Sequence, residues 1–502
     1  MSFVANLENN LNVSYTENGA RGLKTSGKNL LDMNFKVTSY RSASDSDIAY
    51  DFTRAFEEDS LAAMKWLFYA RDVRGGLGER RLFRVVMKAL AEEQSHYAGA
   101  VARLIPEYGR WDDLIDLYDT SLHNTIVNII RETLANDMRK CANNEPNISL
   151  LAKWLPSENA SSKDTVRLAK KIIRDLHITP REYRKTLSKL RDYLNVVEIK
   201  MSAKQWNQID YPSVPSKANI VYKKAFLRND EERRTAYLNA LQDGHTTIKA
   251  GTLFPYEIVN KYRNSYGVDA TLEELWKALP DLVQRAESTM VVADGSGSMT
   301  FCTIDKQSSA TPLVVANSLA IYFAERCSGE FKNKYITFSN RPQLVHLTGK
   351  TLRDNLQIAY RHNEVANTNI EAVFNLILDT AVKNHMEQSE LPGNVLIISD
   401  MEFDSATSGR VDKTLFQNIE DKFARAGYKM PRLVFWNLCG RTGTIPVVMN
   451  NSGVALVSGF SVGTLKMVMS NRTDPYLALL DTINSERYAP VEAALEKELL
   501  SL

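Results

Sequence analysis

The sequence predicts a protein with two parts, an N-terminal α-helical repeat scaffold followed by a doubly wound α/β domain. From residue 49 to 287, apolar residues recur at helical spacing, with no strand patterns between the helices. From residue 288 onward, short apolar runs alternate with helical patterns, which is typical of a parallel sheet. Two of these apolar runs end in an aspartate, Asp294 and Asp400.

The composition sets broad limits on the class of protein. A chain of 502 residues exceeds what one hydrophobic core normally serves, so two or three domains are expected. The 62 lysines and arginines nearly balance the 60 aspartates and glutamates, so no overall field attracts a polyanion. Cys141, Cys302, Cys327 and Cys439 form no C-x-x-C pair, which indicates free thiols. With no signal-peptide pattern and no long apolar run, we expect a soluble, cytoplasmic protein.

The helical part follows a short arm. Residues 1–48 are rich in Asn, Ser, Thr and Gly, so we expect a partly extended arm on the surface. Residues 49–287 carry consecutive amphipathic helices, separated by short breaks that contain glycine or proline. These breaks lie at 75–76, 106–109, 146, 180 and 212–215. Helices of this length joined by short turns predict a HEAT-like helical repeat.

Residues 288–502 alternate between strands and helices. Strands are predicted at 290–293, 335–338, 344–347, 395–399, 433–438 and 454–457, and helices at 311–327, 370–382, 415–426, 462–469 and 476–483. In an open parallel sheet, ligands bind beyond the carboxyl ends of the strands. Asp294 and Asp400 are predicted to lie at that edge.

The segment 288–300, S-T-M-V-V-A-D-G-S-G-S-M-T, has the composition of a cation-binding loop. Asp294, Ser296 and Ser298 stand at alternate positions, which point to one side in an extended segment. Gly295 and Gly297 allow the backbone to fold tightly around a ligand. Carboxylate and hydroxyl oxygens suit Mg²⁺, Mn²⁺ or Ca²⁺, so the loop predicts a site for one of these ions.

Two later stretches add a family resemblance. Thr368 precedes a helical run, and N-V-L-I-I-S-D at 394–400 is an apolar strand that ends in Asp400. A strand-end aspartate, a hydroxyl at a helix start and a second strand-end aspartate, in this order, resemble the metal-ion-dependent adhesion site of von Willebrand factor A domains. The resemblance implies such a domain over 288–502, binding Mg²⁺ or else Mn²⁺ or Ca²⁺. Its implied ligands are Asp294, Ser296, Ser298, Thr368 and Asp400.

The chain departs from that family directly after the second strand. Many von Willebrand factor A domains have Asp-Gly here, whereas Met401, Glu402, Phe403 and Asp404 follow Asp400. Extra carboxylates permit a second interpretation, a metal-dependent hydrolase or nuclease with Glu402 as its base. No histidine lies close in sequence to either loop, and serine ligation usually leaves a coordination position for a partner's carboxylate. We therefore predict a non-enzymatic site with no catalytic residues.

Two clusters in the helical part carry further resemblances. R-D-V-R-G-G-L-G-E-R at 71–80 and P-E-Y-G-R-W-D-D-L at 106–114 have the composition of turns between helices. Both also resemble the TROVE module of the Ro RNA-binding autoantigens, in which that module precedes a von Willebrand factor A domain. This resemblance implies RNA binding. A closer one, to a plant, bacterial and phage family of unassigned function, is carried by residues 150–156, 182–191 and 399–404.

The charge distribution suggests where RNA would bind. Residues 151–234 hold 19 lysines and arginines against 10 acidic residues, whereas residues 101–150 hold 5 against 8. Within this excess, the helix predicted at 180–193 carries Arg181, Arg184, Lys185, Lys189 and Arg191, with Tyr183 and Tyr193 interleaved. Basic groups position phosphates and aromatic rings stack bases, which predicts capture of single-stranded or structured small RNA. The alternatives are a solvated helix face and a protein-interaction scaffold without RNA.

Overall fold

A computed structural model describes residues 11–17, 19, 21–263, 265, 267–283, 289–301, 303–304, 308–339, 341–363, 369–402, 415–439, 443–446, 454–461 and 474–499. The chain divides into two compact units. The sheet unit comprises Met1–Ala63, Gly75–Leu77 and Ala250–Ser485, and the helical unit comprises Met64–Arg74, Gly78–Lys249 and Glu486–Leu502. This division places the first residues with the sheet and the last residues with the helices.

The N-terminal segment belongs to the sheet unit. It contains strands β1 (Val13–Tyr15) and β2 (Arg21–Leu23), which pair antiparallel, and helices α1 (Asn29–Phe35) and α2 (Asp45–Glu58). Leu23 pairs with Ile445 through two backbone hydrogen bonds of 2.8 Å. Leu31 and Val37 are fully buried. The segment is thus part of the core of its unit, where the sequence predicted only a surface arm.

The helical unit is built from amphipathic helices, as the apolar spacing predicted. Its helices are α3 (Ser60–Arg71, in this unit from Met64), α4 (Arg80–Glu93), α5 (Ser95–Val101), α6 (Ile105–Tyr108), α7 (Trp111–Ile115), α8 (His123–Ala142), α9 (Leu151–Trp154), α10 (Lys163–Asp175), α11 (Pro180–Tyr193), α12 (Val197–Ser202), α13 (Ser216–Asn229), α14 (Glu231–Gln242) and, from the end of the chain, Ala489–Leu499. Along α4, Leu82, Phe83, Val86 and Leu90 are buried, which is the one-sided spacing of a helix against a core.

The sheet has six strands: β3 (Thr289–Asp294), β4 (Lys334–Phe338), β5 (Leu344–His346), β6 (Asn394–Ser399), β7 (Arg432–Asn437) and β8 (Val454–Ser458). Their spatial order is β5-β4-β3-β6-β7-β8, and all pairs are parallel except β4 with β5. From β3 the chain moves outward through β4 and β5, and it then returns to the other side of β3 with β6. The strand order therefore reverses between β3 and β6.

Helices cover the sheet. The helices of the sheet unit after its N-terminal segment are α15 (Pro255–Tyr262), α16 (Ala270–Lys277), α17 (Pro312–Arg326), α18 (Leu352–Arg361), α19 (Ile370–Lys383), α20 (Leu415–Arg425) and α21 (Pro475–Ile483). The final helix of the chain, α22 (Ala489–Leu499), is the one already assigned to the helical unit. Every residue of β8 is buried, as is each residue of β6 and β7 after the first. Strands buried on both faces read as continuous apolar runs, which is why the sequence revealed them.

Most predicted elements of this half are confirmed within a few residues. The helix predicted at 462–469 lies outside the described residues. Among the helices that are described, none is long and apolar enough to cross a membrane.

Candidate functional site

The two strand-end aspartates meet at one edge of the sheet. Asp294 is the last residue of β3, and Asp400 follows the last residue of β6 directly. These strands are adjacent and parallel, with Ala293 opposite Ile398. The strand order reverses between them, and parallel sheets bind ligands beyond the carboxyl ends of the strands at such a point. The structure therefore confirms that Asp294 and Asp400 lie at the carboxyl edge of the sheet.

Asp294 is buried and hydrogen-bonded on both oxygens. Its side chain is 1% exposed. Oδ1 accepts the Ser296 backbone N–H at 2.9 Å, and Oδ2 accepts the Ser399 hydroxyl at 2.6 Å. Ser399 was not predicted as part of the site, since a hydroxyl before a strand-end aspartate has no sequence pattern of its own. It orients the carboxylate from the neighbouring strand.

The electrostatics of this edge are unfavourable for two charged carboxylates. Asp400 is also 1% exposed. Burial, and next the negative charge of Asp400, raise the pKa of Asp294, although the hydrogen bonds from Ser399 and Ser296 act in the opposite direction. Two buried carboxylates that repel each other are stabilised by a shared proton or by a bound cation. The pair can therefore hold a divalent ion.

The serine hydroxyls lie together as predicted, but for a different reason. Ser298 belongs to a 3₁₀ turn over Gly297–Thr300, so the segment is not extended throughout. The turn brings the Ser298 hydroxyl to 2.9 Å from that of Ser296. Gly295 fits closely here, because a Cβ at this position would lie 3.1 Å from Cα of Asn363. A larger residue at 295 would push this loop away from the segment that carries Asn363.

The fifth predicted ligand, Thr368, lies outside the described residues. Its neighbour Asn369 caps α19, with its side-chain oxygen accepting the Ala372 N–H at 2.9 Å. Within the described part of the chain, no three His, Cys, Asp or Glu side chains form a group that could hold a metal. The candidate site therefore depends on two carboxylates supplemented by hydroxyls.

The turn after β6 places Glu402 beside the N-terminal segment. Ser399 Oγ accepts the Met401 N–H at 3.1 Å, and Met401 has a φ of 65°. Glu402 is 1% exposed, and its Oε2 accepts the backbone N–H of Glu17 at 2.7 Å. Asp404, the other carboxylate of the hydrolase interpretation, lies outside the described residues. Glu402 is thus held inside the protein at this edge.

Helix α11 presents part of the predicted RNA surface. Arg181, Lys185 and Lys189 are exposed and one helical turn apart, so they form a stripe on one face. None of the three forms an ion pair with a described residue. Arg184 adjoins the stripe and is paired with Glu158. The stripe is a row of cations open to solvent.

Other predicted contacts on α11 have internal partners instead. Arg191 donates to the carbonyls of Ala152 and Leu155 at 2.7 and 2.8 Å and to the Ser157 hydroxyl at 3.0 Å. It therefore holds the 152–157 segment and does not present its donors to a phosphate. The Tyr183 ring is 1% exposed, so the prediction that it stacks on bases is wrong.

The two clusters of the helical unit come together around Asp113. The buried Arg71 donates to Asp113 Oδ2 at 2.8 and 2.6 Å, and Arg84 donates to Oδ1 at 2.7 Å. Burial alone would raise the pKa of Asp113, but the two arginines outweigh it and hold the pKa below its usual range. Gly109 is needed beside them, since a Cβ there would lie 2.6 Å from Asp113 Oδ2. Residues of both clusters, together with Arg84, thus form one ionic network around the buried Asp113.

Comparison with known proteins identifies relatives for both halves. Residues 116–295 match a family described as "Domain of unknown function (DUF2828)", and residues 288–487 match "Domain of unknown function (DUF7788)". A protein of Acanthamoeba polyphaga mimivirus described as "Uncharacterized protein L728" is 31% identical over 519 residues. The alignment covers 96% of this chain and 89% of the viral protein. The chain therefore belongs to the same protein family as the mimivirus protein L728.

Proposed function

We propose that the chain is a non-enzymatic binding protein whose sheet unit is a von Willebrand factor A-like domain. At the edge of its sheet it holds Mg²⁺, or Mn²⁺ or Ca²⁺, and the ion captures an acidic side chain of a partner. The observation that carries this proposal is the pair of buried carboxylates, Asp294 and Asp400, at the point where the strand order reverses.

The donor set fits a hard divalent ion. Carboxylate and hydroxyl oxygens are the ligands that such ions prefer, and Asp294, Asp400, Ser296 and Ser298 supply both kinds. The bound ion would supply a positive charge that offsets the repulsion between the carboxylates. Since the serine hydroxyls add no negative charge, the site keeps an attraction for an incoming anion. This is the property that a site for an acidic partner requires.

Calorimetric titration with Mg²⁺ and Mn²⁺ tests the metal assignment. Asp294→Ala and Asp400→Ala should abolish the binding heat while both variants remain folded by circular dichroism. Asp379→Ala provides a matched control, because that carboxylate is exposed on α19. Wild-type affinity in both site variants would refute the assignment.

Assays of metal-dependent cleavage distinguish a binding site from a hydrolase. A catalytic base must reach a substrate or a water molecule, whereas Glu402 is buried and accepts a backbone N–H. We expect no metal-dependent cleavage of RNA, DNA or phosphoesters. Turnover with Mg²⁺ or Mn²⁺ that disappears in Glu402→Gln would favour the hydrolase instead.

For the helical unit we propose a HEAT-like, TROVE-like scaffold that binds RNA through Arg181, Lys185 and Lys189, with Arg184 adjoining. The supporting observation is their exposure as a stripe with one-turn spacing. Cations in such a row neutralise successive phosphates and release counterions, so the affinity depends on salt rather than on sequence. A protein-interaction scaffold without RNA is the alternative.

Salt-dependent binding of a single-stranded RNA measures the contribution of the stripe. Replacing its three residues by glutamine should lower the slope of log affinity against log salt by about two to three. The control variant replaces Lys332, Lys350 and Lys383, which are exposed lysines of the sheet unit, and should keep the wild-type slope. Equal slopes in the wild type and both triple variants would show that the stripe is a solvated helix face that does not contact RNA.

A further inference from the structure

Helix α4 carries a row of three basic side chains, two of which pair with the acidic segment 112–116. Arg80, Arg84 and Lys88 are spaced one turn apart and so share a face of the helix. Lys88 pairs with Asp116 at 2.8 Å, and Arg84 pairs with Asp113 at 2.7 Å. Two of the three cations thus have a carboxylate directly opposite.

Arg80 is the exception in this row. It is exposed, and it forms no ion pair or hydrogen bond with any described residue. The Glu79 N–H donates to the Ala70 carbonyl at 2.7 Å, which brings Arg80 close to Arg71. Surrounding protein atoms, and next the positive charges of Arg110 and Arg71, lower the pKa of Arg80 to about 10. Arg80 therefore lies near two other arginines, and the negative charges of Asp113 and Asp112 only partly offset their effect on its pKa.

The nearby carboxylates are already engaged. Asp112 accepts a hydrogen bond from Nε of Arg110 at 2.8 Å, and it also forms an ion pair with Arg84 at 2.9 Å. Asp113 binds Arg84 and Arg71, and it accepts the Arg110 backbone N–H at 3.0 Å. Both acids are thus engaged by other arginines, and neither forms a hydrogen bond or an ion pair with Arg80. Arg80, which has no ion-pair partner among the described residues, can therefore bind an external anion.

Arg110 is held near the basic row of α4, because Asp112 pairs with both Arg84 and Arg110. Its Nε and Nη2 bind Asp112, and its guanidinium lies over the Trp154 ring at 4.2 Å from the ring centroid. Its Nη1 donates to no described acceptor. A guanidinium that is held on two sides keeps its remaining donor in one direction, which favours binding of a planar or tetrahedral anion.

We propose that Arg80 and Arg110 form a binding site for a phosphate group. The phosphate belongs either to an RNA strand or to a small phosphorylated molecule. Guanidinium groups bind phosphate oxygens with paired, charge-assisted hydrogen bonds. Arg80 is also the first residue of a 14-residue helix, so the partial positive charge of the helix N-terminus adds to the attraction. This site is independent of both the metal edge and the α11 stripe.

Calorimetric titration of the full chain with inorganic pyrophosphate and with a short single-stranded RNA tests the site. Arg80→Gln should weaken binding at least about 10-fold, the loss expected for a charge-assisted hydrogen bond. Arg80→Lys keeps the charge but lacks the paired donors, so its affinity should lie between those of the wild type and Arg80→Gln. Lys88→Gln removes an equal charge from the same helix face and should bind like the wild type.

The two titrants separate the sources of the phosphate. Binding of RNA alone assigns the site to a strand, and binding of pyrophosphate as well assigns it to a small phosphorylated molecule. Because Arg80 has no partner among the described residues, Arg80→Gln should also leave the melting temperature unchanged or higher. The proposal is overturned if the wild type binds neither titrant, if Arg80→Gln binds normally, or if Lys88→Gln loses as much affinity.

The RNA proposal for α11 can fail separately. In that case the triple glutamine variant of α11 binds RNA normally, whereas Arg80→Gln still loses affinity for its titrant.

Discussion

Replacing Asp113 by asparagine removes the charge at the centre of the helical unit's ionic network without changing the size of the side chain. Arg71, whose side chain is 1% exposed, would be left buried without a counter-charge. Breaking a buried ion pair in this way costs about 3–5 kcal/mol. Arg84 adds little to the loss, since its side chain is 25% exposed and it keeps Asp112 as a partner.

Differential scanning calorimetry of the full chain measures this loss. For a unit of this size, about 3–5 kcal/mol corresponds to a fall in melting temperature of roughly 6–20 °C. Asp119→Asn is the matched control, because its pair with Lys171 lies at the surface and should contribute less than about 1 kcal/mol. A loss in Asp113→Asn as small as in Asp119→Asn would refute the assignment of Arg71 as a buried, charge-dependent partner.

A paired substitution separates charge from packing. Arg71→Met combined with Asp113→Leu leaves no unpaired charge and fills a similar volume, so most of the lost stability should return. If the double variant is no more stable than Asp113→Asn, the loss arises from packing or from the turn at Gly109.

Two further predictions concern the same network. The pKa of Asp113 in the folded protein is held below its value in the unfolded chain. The charged carboxylate therefore stabilises the fold above about pH 4, and this stabilisation is lost as the pH falls through the folded pKa. The melting temperature of the helical unit should therefore fall less steeply with decreasing pH in Asp113→Asn than in the wild type. Gly109→Ala would place a Cβ 2.6 Å from Asp113 Oδ2 and 2.9 Å from Arg71 Nε, and it should cost about 1–3 kcal/mol in urea unfolding, whereas Gly251→Ala, with open space around it, should be neutral. An unaffected Gly109→Ala protein would contradict the close approach.

The sheet was predictable because its strands are buried on both faces and therefore appear as apolar runs. The same logic placed Asp294 and Asp400 at one edge, since the carboxyl ends of adjacent parallel strands lie together. Ser399 was not predictable, because its role depends on the register of β6 against β3, which a single sequence does not reveal. A local sequence pattern predicts where a strand ends, but the residue that lies opposite on a neighbouring strand can be identified only from the folded structure.

In helix α11, the sequence contained an overlooked signal that Tyr183 is buried, but it contained no signal for the internal contacts of Arg191. Tyr183, Leu187 and Leu190 recur at helical spacing and are the buried face, so the spacing itself assigned Tyr183 to the core. Arg191 offered no such signal. Its guanidinium binds a segment more than 30 residues earlier in the chain, as the separations of 39 and 36 residues to Ala152 and Leu155 show.

The ends of the chain could not be assigned from the sequence for a related reason. Asp72 is fully buried in the helical unit, and its partners include Arg487, at 2.8 Å and 415 residues away, and the Tyr488 hydroxyl at 3.1 Å. Lys65 likewise pairs with Glu492 of α22. No periodicity links positions so far apart. The ion pairs of Asp72 with Arg487 and of Lys65 with Glu492 thus link the segment from Glu486 onward to the rest of the helical unit.

The residue after Asp400 appeared in the sequence to depart from the adhesion-site pattern, because methionine stands where many such domains have glycine. In the structure Met401 has a φ of 65°, which is the left-handed conformation that glycine adopts without cost. A side chain in that conformation costs about 1 kcal/mol or more, and burial of Met401, at 3% exposure, offsets the cost. The backbone can therefore turn after Asp400 as it would with glycine. Glu402 is then directed toward the Glu17 N–H, so the extra carboxylate that suggested a hydrolase is used to hold the N-terminal segment.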